Sequence, residues 1–303
     1  MPDHLRFDRT VAVVTGAGGG LGRSHALALA RRGASVVVND VGAALDGSGS
    51  SASRAEQVVA EIEALGGNAV ANHDSVATPE GGEAIIEQAL RAFGRVDIVV
   101  NNAGNIRDAT FANMTAELAD PVIDVHLRGA FHVTRPAWLR MREQKFGRIV
   151  STSSGSGIFG NFGQSNYAAA KMGLIGLTSV LAIEGAKYNI KANVVAPIAS
   201  TRMNEAHLGA LNEVLRPELV TAAVVYLAHA SCEVTGRAYS CGGGRMARIF
   251  FGVAPGLVSS SLTPEEIAAR MDLVEAQEGY TVPASVVEEV ADGLKALGID
   301  TAG

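Results

Sequence analysis

The sequence predicts an α/β protein built on a doubly wound, mainly parallel β-sheet with a C-terminal extension. Two observations lead to this prediction. Apolar runs of strand length alternate with helical patterns up to about Gly244, and the first strand, Val11–Thr15, leads through a glycine-rich turn into a helix. Because parallel strands are buried on both faces and therefore apolar throughout, the pattern favours a parallel sheet covered by helices on both sides.

Length and composition are those of a globular protein with a large core. The 303 residues are 48% hydrophobic and 18% charged, and strand and helix signals continue without a linker. This favours one catalytic domain, residues 1–244, followed by an extension, residues 245–303. The net charge of −6 offers no basic surface to nucleic acid. No run approaches the roughly 18 apolar residues of a membrane helix, so we expect neither a nucleic-acid partner nor a membrane span.

Cysteine usage and the chain ends give further expectations. Cys232 and Cys241 are the only cysteines and form no Cys-x-x-Cys pair, so we predict no disulfide framework and no metal site. The segment Met1–Arg9 is charged and lacks an apolar signal core, and the last residues form none of the usual targeting tripeptides. These features indicate a cytoplasmic protein.

The glycine-rich turn is the first candidate binding site. Gly16, Gly20 and Gly22 lie between the first strand and the first helix, and Asp40 directly follows the second strand, Ser35–Asn39. Glycines at such a turn let the backbone approach a pyrophosphate held at the helix N-terminus, and an acidic residue after the second strand binds a ribose. The arrangement predicts a dinucleotide cofactor on a Rossmann-type sheet.

A second candidate site is formed by Tyr167 and Lys171, which lie four residues apart and so share one face of a helix. A tyrosine with a pKa of about 10 acts as a base near pH 7 only if its pKa falls by about three units, or about 4 kcal/mol. A desolvated ammonium group within reach supplies much of that shift, so we expect Lys171 to lower the pKa of Tyr167. The preceding strand ends in four hydroxyl residues, 151–154, and the residues alone do not select which one faces a substrate.

Together these motifs resemble those of the short-chain dehydrogenase/reductase family. The resemblance rests on Thr15-Gly16-xxx-Gly20-x-Gly22, Asn102-Ala103-Gly104, Ser154 and Tyr167-xxx-Lys171, in the family's order and approximate spacing. It implies a seven-stranded sheet with strand order 3-2-1-4-5-6-7. It also implies that Ser154 is the hydroxyl that contacts the substrate.

The resemblance further implies a cofactor site, and Asp40 favours NAD over NADP because a carboxylate repels a 2′-phosphate, although Arg23 acts weakly in the opposite direction. Asp74 is either an adenine contact, as in the family, or a turn residue. The residues implied in cofactor binding are Gly16, Gly20, Leu21, Gly22, Asp40, Asp74, Ser75, Asn102, Ala103, Gly104, Tyr167, Lys171, Pro197 and Thr201.

The implied catalytic residues are Ser154, Tyr167, Lys171 and His126. Tyr167 takes the alcohol proton, Lys171 assists it and holds the cofactor ribose, and Ser154 binds the reacting oxygen. His126 stands where the family usually has an asparagine that joins a water-linked proton relay, so it is either a relay group or a buried structural histidine. Ile198 departs from the family's Pro-Gly pair, and the family's threonine usually lies one position later than Thr201, so Thr201 is a less direct match.

A closer likeness, over nearly the whole chain, is to the (3R)-hydroxyacyl-CoA dehydrogenase portion of peroxisomal multifunctional enzymes. It rests on His126-Leu127-Arg128-Gly129, the segment Gly160–Gln164, the glycine-rich insert after Asp40 and the long tail. It implies NAD-dependent interconversion of a (3R)-hydroxyacyl-CoA and a 3-ketoacyl-CoA in fatty acid metabolism. The alternatives are a steroid or other secondary-alcohol dehydrogenase and a catalytically silent NAD-binding scaffold.

The implied partners are an acyl-CoA substrate, further copies of the chain as a homodimer or homotetramer, and a separate hydratase. Small residues at three-residue steps after Lys171 favour either a dimer interface or close packing within one chain. The phosphates of coenzyme A require basic groups such as Arg202, Arg245 or Arg248, which are equally ordinary surface charges. In the tail, Thr263 and Ser285 are positioned to cap two helices, and the tail is expected to pack on its own domain or on a dimer partner.

Overall fold

The computed structural model describes residues 5–44, 46–49, 51, 53–199, 209 and 211–299. The chain divides into two compact units, Met1–Arg248 and Ile249–Gly303, slightly beyond the boundary predicted at Gly244. The first unit contains every described residue of the site below and the sheet apart from its last residue, Ile249. The second unit is the extension.

The first unit is built on one sheet of eight strands in the order β3-β2-β1-β4-β5-β6-β7-β8. The strands are β1 (Val11–Thr15), β2 (Ser35–Asn39), β3 (Asn68–Asn72), β4 (Ile98–Asn101), β5 (Gly147–Thr152), β6 (Ile190–Pro197), β7 (Arg237–Gly242) and β8 (Arg245–Ile249). All pairings among the first seven strands are parallel, which confirms the predicted fold class and strand order.

The prediction of seven strands is one strand short. β7 and β8 are joined by only Gly243 and Gly244, both with positive φ (55° and 81°). A two-residue connection of this kind is a hairpin turn that requires antiparallel strands, and two glycines suit its left-handed backbone. The chain therefore returns along β7 and adds Arg245–Ile249 to the sheet edge.

The core lies on both faces of the sheet, because successive residues of a strand point to opposite sides. In β1, Ala12 and Val14 belong to one buried cluster and Val11 and Val13 to the other. All five residues of β1 are buried, as expected for a central strand covered by helices on both faces.

Helices cover these two faces and continue into the extension. They are α1 (Gly20–Ala30), α2 (Ser53–Ala64), α3 (Pro79–Phe93), α4 (Ala116–Ile123), α5 (Gly129–Gln144), α6 (Gly155–Phe159), α7 (Ser165–Gly185), α8 (Leu211–Val214), α9 (Pro217–Ala228), α10 (Pro264–Ala269), α11 (Met271–Val274) and α12 (Val286–Ala296). Short 3₁₀ segments occur at Phe111–Asn113 and Ala186–Tyr188.

The helical stretch from Ala116 to Gln144 is not one continuous α-helix. A π-helical segment, Asp124–Arg128, separates α4 from α5, and Pro121 lies inside α4. A π-helical turn carries one extra residue and therefore rotates the side chains that follow it. This segment contains His126 and helps to bring it to the site.

The remaining helical features concern α7 and the extension. Among the described residues, the segment Ser165–Tyr188 is long and apolar enough to cross a bilayer, with a mean hydropathy of 1.3. This is weak evidence, because a core helix of a soluble protein has the same properties. In the extension, the Thr263 and Ser285 hydroxyls accept hydrogen bonds from the Glu266 and Glu288 amides (3.1 and 3.3 Å), which confirms both predicted caps.

Candidate active site

The glycine-rich turn between β1 and α1 is shaped by close backbone approach. Gly16 and Gly20 have φ values of 63° and 52°, which other residues rarely adopt. A Cβ atom on Gly22 would lie 2.2 Å from the carbonyl oxygen of Gly16, so only glycine fits there. The N-cap of α1, Gly19, supplies no capping side chain, and its first amides remain available to a phosphate.

Asp40 follows β2 and lies beside this turn. Its carboxylate accepts hydrogen bonds from the amides of Gly18 (2.8 Å) and Gly42 (2.6 Å). An ionised carboxylate has about four acceptor sites, so ribose hydroxyls can still bind to it. Arg23, the one group expected to favour a 2′-phosphate, donates instead to Glu61 through Nε (3.0 Å) and Nη2, so its charge is already paired.

Three predicted cofactor ligands, Ser75, Asp74 and Thr201, differ in where they lie. Ser75 lines the cleft, but Asp74 does not: its carboxylate accepts a hydrogen bond from Asn72 Nδ2 (2.8 Å), and its amide donates to Asn72 Oδ1 (3.0 Å). Asp74 thus makes the local hydrogen bonds of a turn residue, and its contact with an adenine stays a prediction. Thr201 lies outside the described residues.

The segment Asn102–Gly104 fastens β4 to the glycine-rich turn. Asn102 Nδ2 donates to the carbonyls of Thr15 (3.0 Å) and Gly16 (3.1 Å), and the Thr15 hydroxyl accepts from the amides of Asn102 and Ala103 (3.0 and 3.1 Å). A Cβ atom on Gly104 would lie 2.4 Å from the His126 ring. The segment therefore fixes the floor of the cleft and leaves room for the histidine.

The catalytic candidates come together at the end of β5 and the start of α7. Lys171 is buried, and its ammonium group donates to the carbonyl of Thr152 (2.5 Å), while the Ser153 hydroxyl donates to the carbonyl of Lys171 (2.7 Å). These two bonds hold α7 against the exit of β5. Lys171 Nζ lies 5.5 Å from the centre of the Tyr167 ring.

The exit of β5 separates its hydroxyl groups by role. Ser153 is used to anchor α7, and the Thr152 hydroxyl is buried with no hydrogen-bond partner in the described structure. Ser154 caps α6 by accepting from the Ser156 amide (3.2 Å) and lines the cleft beside Tyr167. Ser154 therefore lies beside Tyr167, and its contact with a substrate stays a prediction.

Burial governs the pKa values of the two central groups. It lowers the pKa of Lys171 to about 7. Burial also raises the pKa of Tyr167, to which the Asp108 charge adds, while a hydrogen bond with Ser154 acts in the opposite direction. The expectation that Lys171 lowers the tyrosine pKa is therefore not met in the cofactor-free site, because loss of water around the phenol dominates.

His126 is also buried in this site. Its Nε2 atom lies 3.1 Å from the Asn105 amide nitrogen and 2.8 Å from the Asn105 carbonyl oxygen, and its Nδ1 atom has no partner in the described structure. The ring packs edge to face on Tyr167 at 5.1 Å. Burial, followed by the charge of Lys171, lowers its pKa well below the usual range. His126 is therefore neutral at pH 7.

A small cavity lies behind the catalytic groups. Its volume is about 10 Å³, near the minimum that holds one water molecule, and its lining includes His126, Lys171, Asn101 and Thr15. These side chains provide polar partners for a water molecule next to the lysine. The arrangement is compatible with the relay alternative for His126.

All of these groups surround one cleft of about 690 Å³. The predicted residues that line it are Gly16, Gly20, Leu21, Asp40, Ser75, Asn102, Ala103, Gly104, His126, Ser154, Tyr167, Lys171 and Pro197. Gly22 lies beneath the turn and serves its packing. The cleft therefore joins a place for a dinucleotide to a tyrosine, lysine and serine at its other end, an arrangement suited to hydride and proton transfer.

Sequence reasoning missed one wall of this cleft. The glycine-rich insert after β2 was not among the predicted site residues, yet Ala43, Ala44 and Gly47 line the cleft. Arg107 Nε donates to the Asp46 carbonyl (3.0 Å), which ties the insert to the segment after β4. The glycine and serine content of the insert signals turns but carries no information about which surface the loop covers.

Known proteins that are similar to this chain indicate its family. A family model described as short chain dehydrogenase matches residues 10–208. The chain is 46% identical over 302 residues to peroxisomal multifunctional enzyme type 2 of Mus musculus, covering 98% of this chain and 41% of that protein. It is 44% identical over 248 residues to a hydroxyacyl-CoA dehydrogenase of Mycobacterium tuberculosis, covering 76% of each.

A solved structure extends the comparison. The full-length peroxisomal multifunctional enzyme type 2 of Drosophila melanogaster superposes with a TM-score of 0.82 at 37% identity, covering 97% of this chain and 50% of that one. The chain thus spans 41% and 50% of the length of these two multifunctional proteins. On the family match and the site geometry, the chain belongs to the short chain dehydrogenase family and is an oxidoreductase.

Proposed function

We propose that this oxidoreductase uses NAD to interconvert a (3R)-hydroxyacyl-CoA and the corresponding 3-ketoacyl-CoA. The observation that carries the proposal is that Ser154, Tyr167 and Lys171 share one cleft with the glycine-rich turn and Asp40. The substrate class is supported by the names of the relatives, a hydroxyacyl-CoA dehydrogenase and a multifunctional peroxisomal enzyme.

Several features of the turn fit a dinucleotide. A Cβ atom on Gly20 would meet no other atom within 4 Å, so the space above this glycine is open. The uncapped amides of α1 suit a pyrophosphate, and Asp40 suits the adenosine ribose. NAD, when bound there, supplies the hydride acceptor for alcohol oxidation.

The protein groups carry the proton. In oxidation the alcohol oxygen gives its proton to Tyr167 while the carbon loses hydride, and in reduction Tyr167 returns that proton to the ketone oxygen. Ser154 donates a hydrogen bond to the reacting oxygen. Because burial raises the pKa of Tyr167, the phenol is protonated near pH 7, which suits the reductive direction and makes oxidation dependent on higher pH.

Lys171 and His126 complete this proposal. Burial brings the pKa of Lys171 to about 7, so this amine gains and loses a proton readily under physiological conditions. Neutral His126, with its Nδ1 atom unpartnered in the described structure, is positioned to hold a water molecule in the cavity next to Lys171. We assign His126 to the passage of the proton between Tyr167, Lys171 and this water.

The cofactor preference follows from the charges around Asp40. A carboxylate at this position accepts ribose hydroxyls and repels a 2′-phosphate, and Arg23 is already paired with Glu61. We therefore expect kcat/KM to be much higher with NAD than with NADP. Equal values for the two cofactors would overturn this part of the proposal.

The catalytic role is tested with Tyr167→Phe. The variant is expected to bind NAD normally in a calorimetric titration and to lose about 10²- to 10⁴-fold in kcat, because it lacks the proton-transfer group. Tyr226→Phe, a change on the partly exposed α9, is the matched control. Near-normal kcat in Tyr167→Phe excludes the mechanism.

The substrate class is tested by comparing kcat/KM for (3R)- and (3S)-hydroxyacyl-CoA and a 17-hydroxysteroid. The (3R) thioester is expected to be best, since hydride leaves from one face of a fixed carbon. Preference for the steroid, or equal oxidation of both epimers, overturns the substrate assignment. Tight NAD binding with no turnover on any alcohol instead supports a silent scaffold.

We also propose that the protein forms a homodimer through α5 and α7. α7 is apolar, yet only 33% of an 18-residue apolar stretch of the segment Ser165–Tyr188 is buried. Val180 and Ile183 on α7 and Phe131 on α5 are 50% or more exposed in the single chain. Ile183→Glu is expected to shift the mass measured by sedimentation to that of a monomer, and an unchanged mass refutes this interface.

A further inference from the structure

Three phenylalanine side chains stand out on the surface of the first unit. Phe111, Phe159 and Phe162 are 83%, 78% and 88% exposed. Large apolar side chains that lie exposed and close together mark interaction sites more often than isolated ones do. We call these three residues the phenylalanine rim.

The rim is drawn from two stretches of chain that are fastened to each other by their loops, with Phe111 at the start of a 3₁₀ segment and Phe159 at the end of α6. The Ala109 amide donates to the Gly163 carbonyl (2.9 Å), and Gln164 Nε2 donates to Asp108 Oδ2 (2.9 Å). Phe111 follows this junction on one loop, and Phe162 precedes it on the other. The two loops therefore present their phenylalanines on either side of one junction.

The same junction borders the catalytic cleft. Asn161, between Phe159 and Phe162, lines the cleft, and so do Gln164 and Arg107. Tyr167 lies one helical turn beyond Gln164. The rim is therefore continuous with the catalytic end of the cleft.

The lining of the cleft and the composition of the rim differ in chemistry. At the catalytic end the lining consists mostly of polar groups, among them Ser154, Ser156, Asn161 and Gln164. Such groups suit a hydroxyl or a thioester but gain little from a hydrocarbon chain. Each buried methylene is worth roughly fourfold in affinity, so a chain gains most where it covers the apolar rim.

We propose that the phenylalanine rim binds the acyl chain of the substrate and sets the preference for chain length. This inference rests on the proposed function, since it takes the substrate to be an acyl thioester. The chain leaves the cleft past Asn161 and lies across Phe111, Phe159 and Phe162. A short chain ends before it reaches the rim.

A second copy of the protein is a poorer occupant of this surface. A subunit seated on Phe159 and Phe162 would cover Asn161 and close the cleft beside Tyr167. The faces of α5 and α7 offer a separate apolar surface for self-association. The acyl chain is therefore the occupant that keeps the cleft in use.

The test uses the triple variant Phe111→Ser, Phe159→Ser, Phe162→Ser in the full chain. Leu65→Ser is the matched control, because Leu65 is an apolar residue 53% exposed just after α2 and away from the cleft lining. For each protein, kcat/KM is measured with four-carbon and twelve-carbon (3R)-hydroxyacyl-CoA. Binding of the saturated four- and twelve-carbon acyl-CoA is measured by calorimetry.

The triple variant is expected to lose at least about tenfold in kcat/KM and in affinity for the twelve-carbon compounds, and less than about twofold for the four-carbon ones, as follows from about fourfold per methylene. Leu65→Ser is expected to match the wild type. No loss, or equal losses at both lengths, overturns the inference. The inference is also overturned if the triple variant changes in sedimentation mass while the dependence of kcat/KM on chain length stays that of the wild type. That result identifies the rim as a subunit contact.

Failure of the proposed function has a different signature. In that case the wild-type protein oxidises neither thioester, yet it still binds the twelve-carbon acyl-CoA more tightly than the four-carbon one. Loss of this difference in the triple variant then supports the rim without the reaction. Equal binding of both lengths by the wild type overturns the rim together with the substrate class.

Discussion

Buried polar groups are bonded differently at the two ends of the parallel strands, which we call the amino edge and the carboxyl edge. At the amino edge, just before β4, the fully buried Asp97 accepts hydrogen bonds from the Val11 amide (2.9 Å) and from Arg95 Nε and Nη2 (2.8 and 2.7 Å). Nearby in β5, Arg148 is 1% exposed and donates to four backbone carbonyls, those of Gly147, Asn189, His229 and Ala230. Both charges are satisfied by protein atoms.

At the carboxyl edge, buried groups are left incomplete. His126 Nδ1, Asn105 Oδ1 and the Thr152 hydroxyl have no partner in the described structure, and buried Lys171 is bonded there to one carbonyl. Unsatisfied buried polar groups cost free energy, so a structure retains them mainly where function uses them. The difference indicates that the amino edge stabilises the fold and the carboxyl edge is kept open for ligands and protons.

The largest expected effect is at the amino edge. Arg148→Met leaves four carbonyls without their charged donor, so we expect the free energy of unfolding to fall by about 3–5 kcal/mol in urea titrations. Arg237→Met, at the exposed start of β7, is the matched control and is expected to change it by less than about 0.5 kcal/mol. NAD binding by the folded Arg148→Met protein is expected to be unchanged. A loss below about 1 kcal/mol contradicts the structural role.

At the carboxyl edge, removing a buried charge is expected to stabilise the fold. The pKa of Lys171 is about 7 in the folded protein, below its ordinary value of 10.5. Between these two pH values the unfolded chain holds a proton that the folded protein has released, so stability rises with pH by about 1.4 kcal/mol per unit. Lys171→Met lacks this pH-dependent contribution. Its free energy of unfolding is therefore expected to exceed that of the wild type most near and below pH 7.

This prediction is checked by urea titrations of both proteins from pH 6.5 to 9.5. The difference in unfolding free energy is expected to shrink as the pH rises, while kcat of the variant is low throughout. Lys187→Met, which removes an exposed lysine just after α7, is expected to leave the pH dependence unchanged. If the unfolding free energies of Lys171→Met and the wild type depend on pH in parallel, the pKa of Lys171 is not lowered in the folded protein.

Most of the difference between the two edges could not be predicted from the sequence. The fold was predictable, because an apolar strand, Val11–Thr15, leads into a glycine-rich turn. Tyr167 and Lys171 also have the four-residue spacing of one helix face. The packing of individual side chains was not predictable. Ser153 and Ser154 are chemically identical in the sequence, and only the position of α7 shows that Ser153 anchors this helix while Ser154 lies beside Tyr167.

Other parts of the site depend on backbone detail that periodicity does not encode. The π-helical segment that carries His126 has no distinctive residue pattern, and Asp74 turns towards Asn72 through a local hydrogen bond. The extension shows the same limit. Its helix caps follow from Thr263 and Ser285, whereas the surface on which the extension packs stays a prediction; Val286 of α12 is 74% exposed.

The next expected effect concerns pH and the reaction. Because burial raises the pKa of Tyr167, the phenolate fraction grows up to tenfold per pH unit, so kcat/KM for oxidation is expected to rise by up to about tenfold per unit between pH 7 and 9. The hydrogen bond with Ser154 lowers this pKa, so Ser154→Ala is expected to move the rise to higher pH. An oxidation rate that does not depend on pH in this range contradicts the assignment of Tyr167 as the base.

The smallest expected effect concerns two hydroxyl groups at the carboxyl edge, one without a hydrogen-bond partner in the described structure and one that is bonded. The buried Thr152 hydroxyl has no partner in the described structure, so Thr152→Val removes an unsatisfied group and is expected to raise the free energy of unfolding by up to about 1 kcal/mol. Thr15→Val is the matched control, since the Thr15 hydroxyl accepts from two amides, and it is expected to cost about 1–3 kcal/mol. Urea titrations of the cofactor-free proteins measure both changes. If the two variants lose the same stability, Thr152 is a structural group, and the carboxyl edge is less open than its hydrogen bonds indicate.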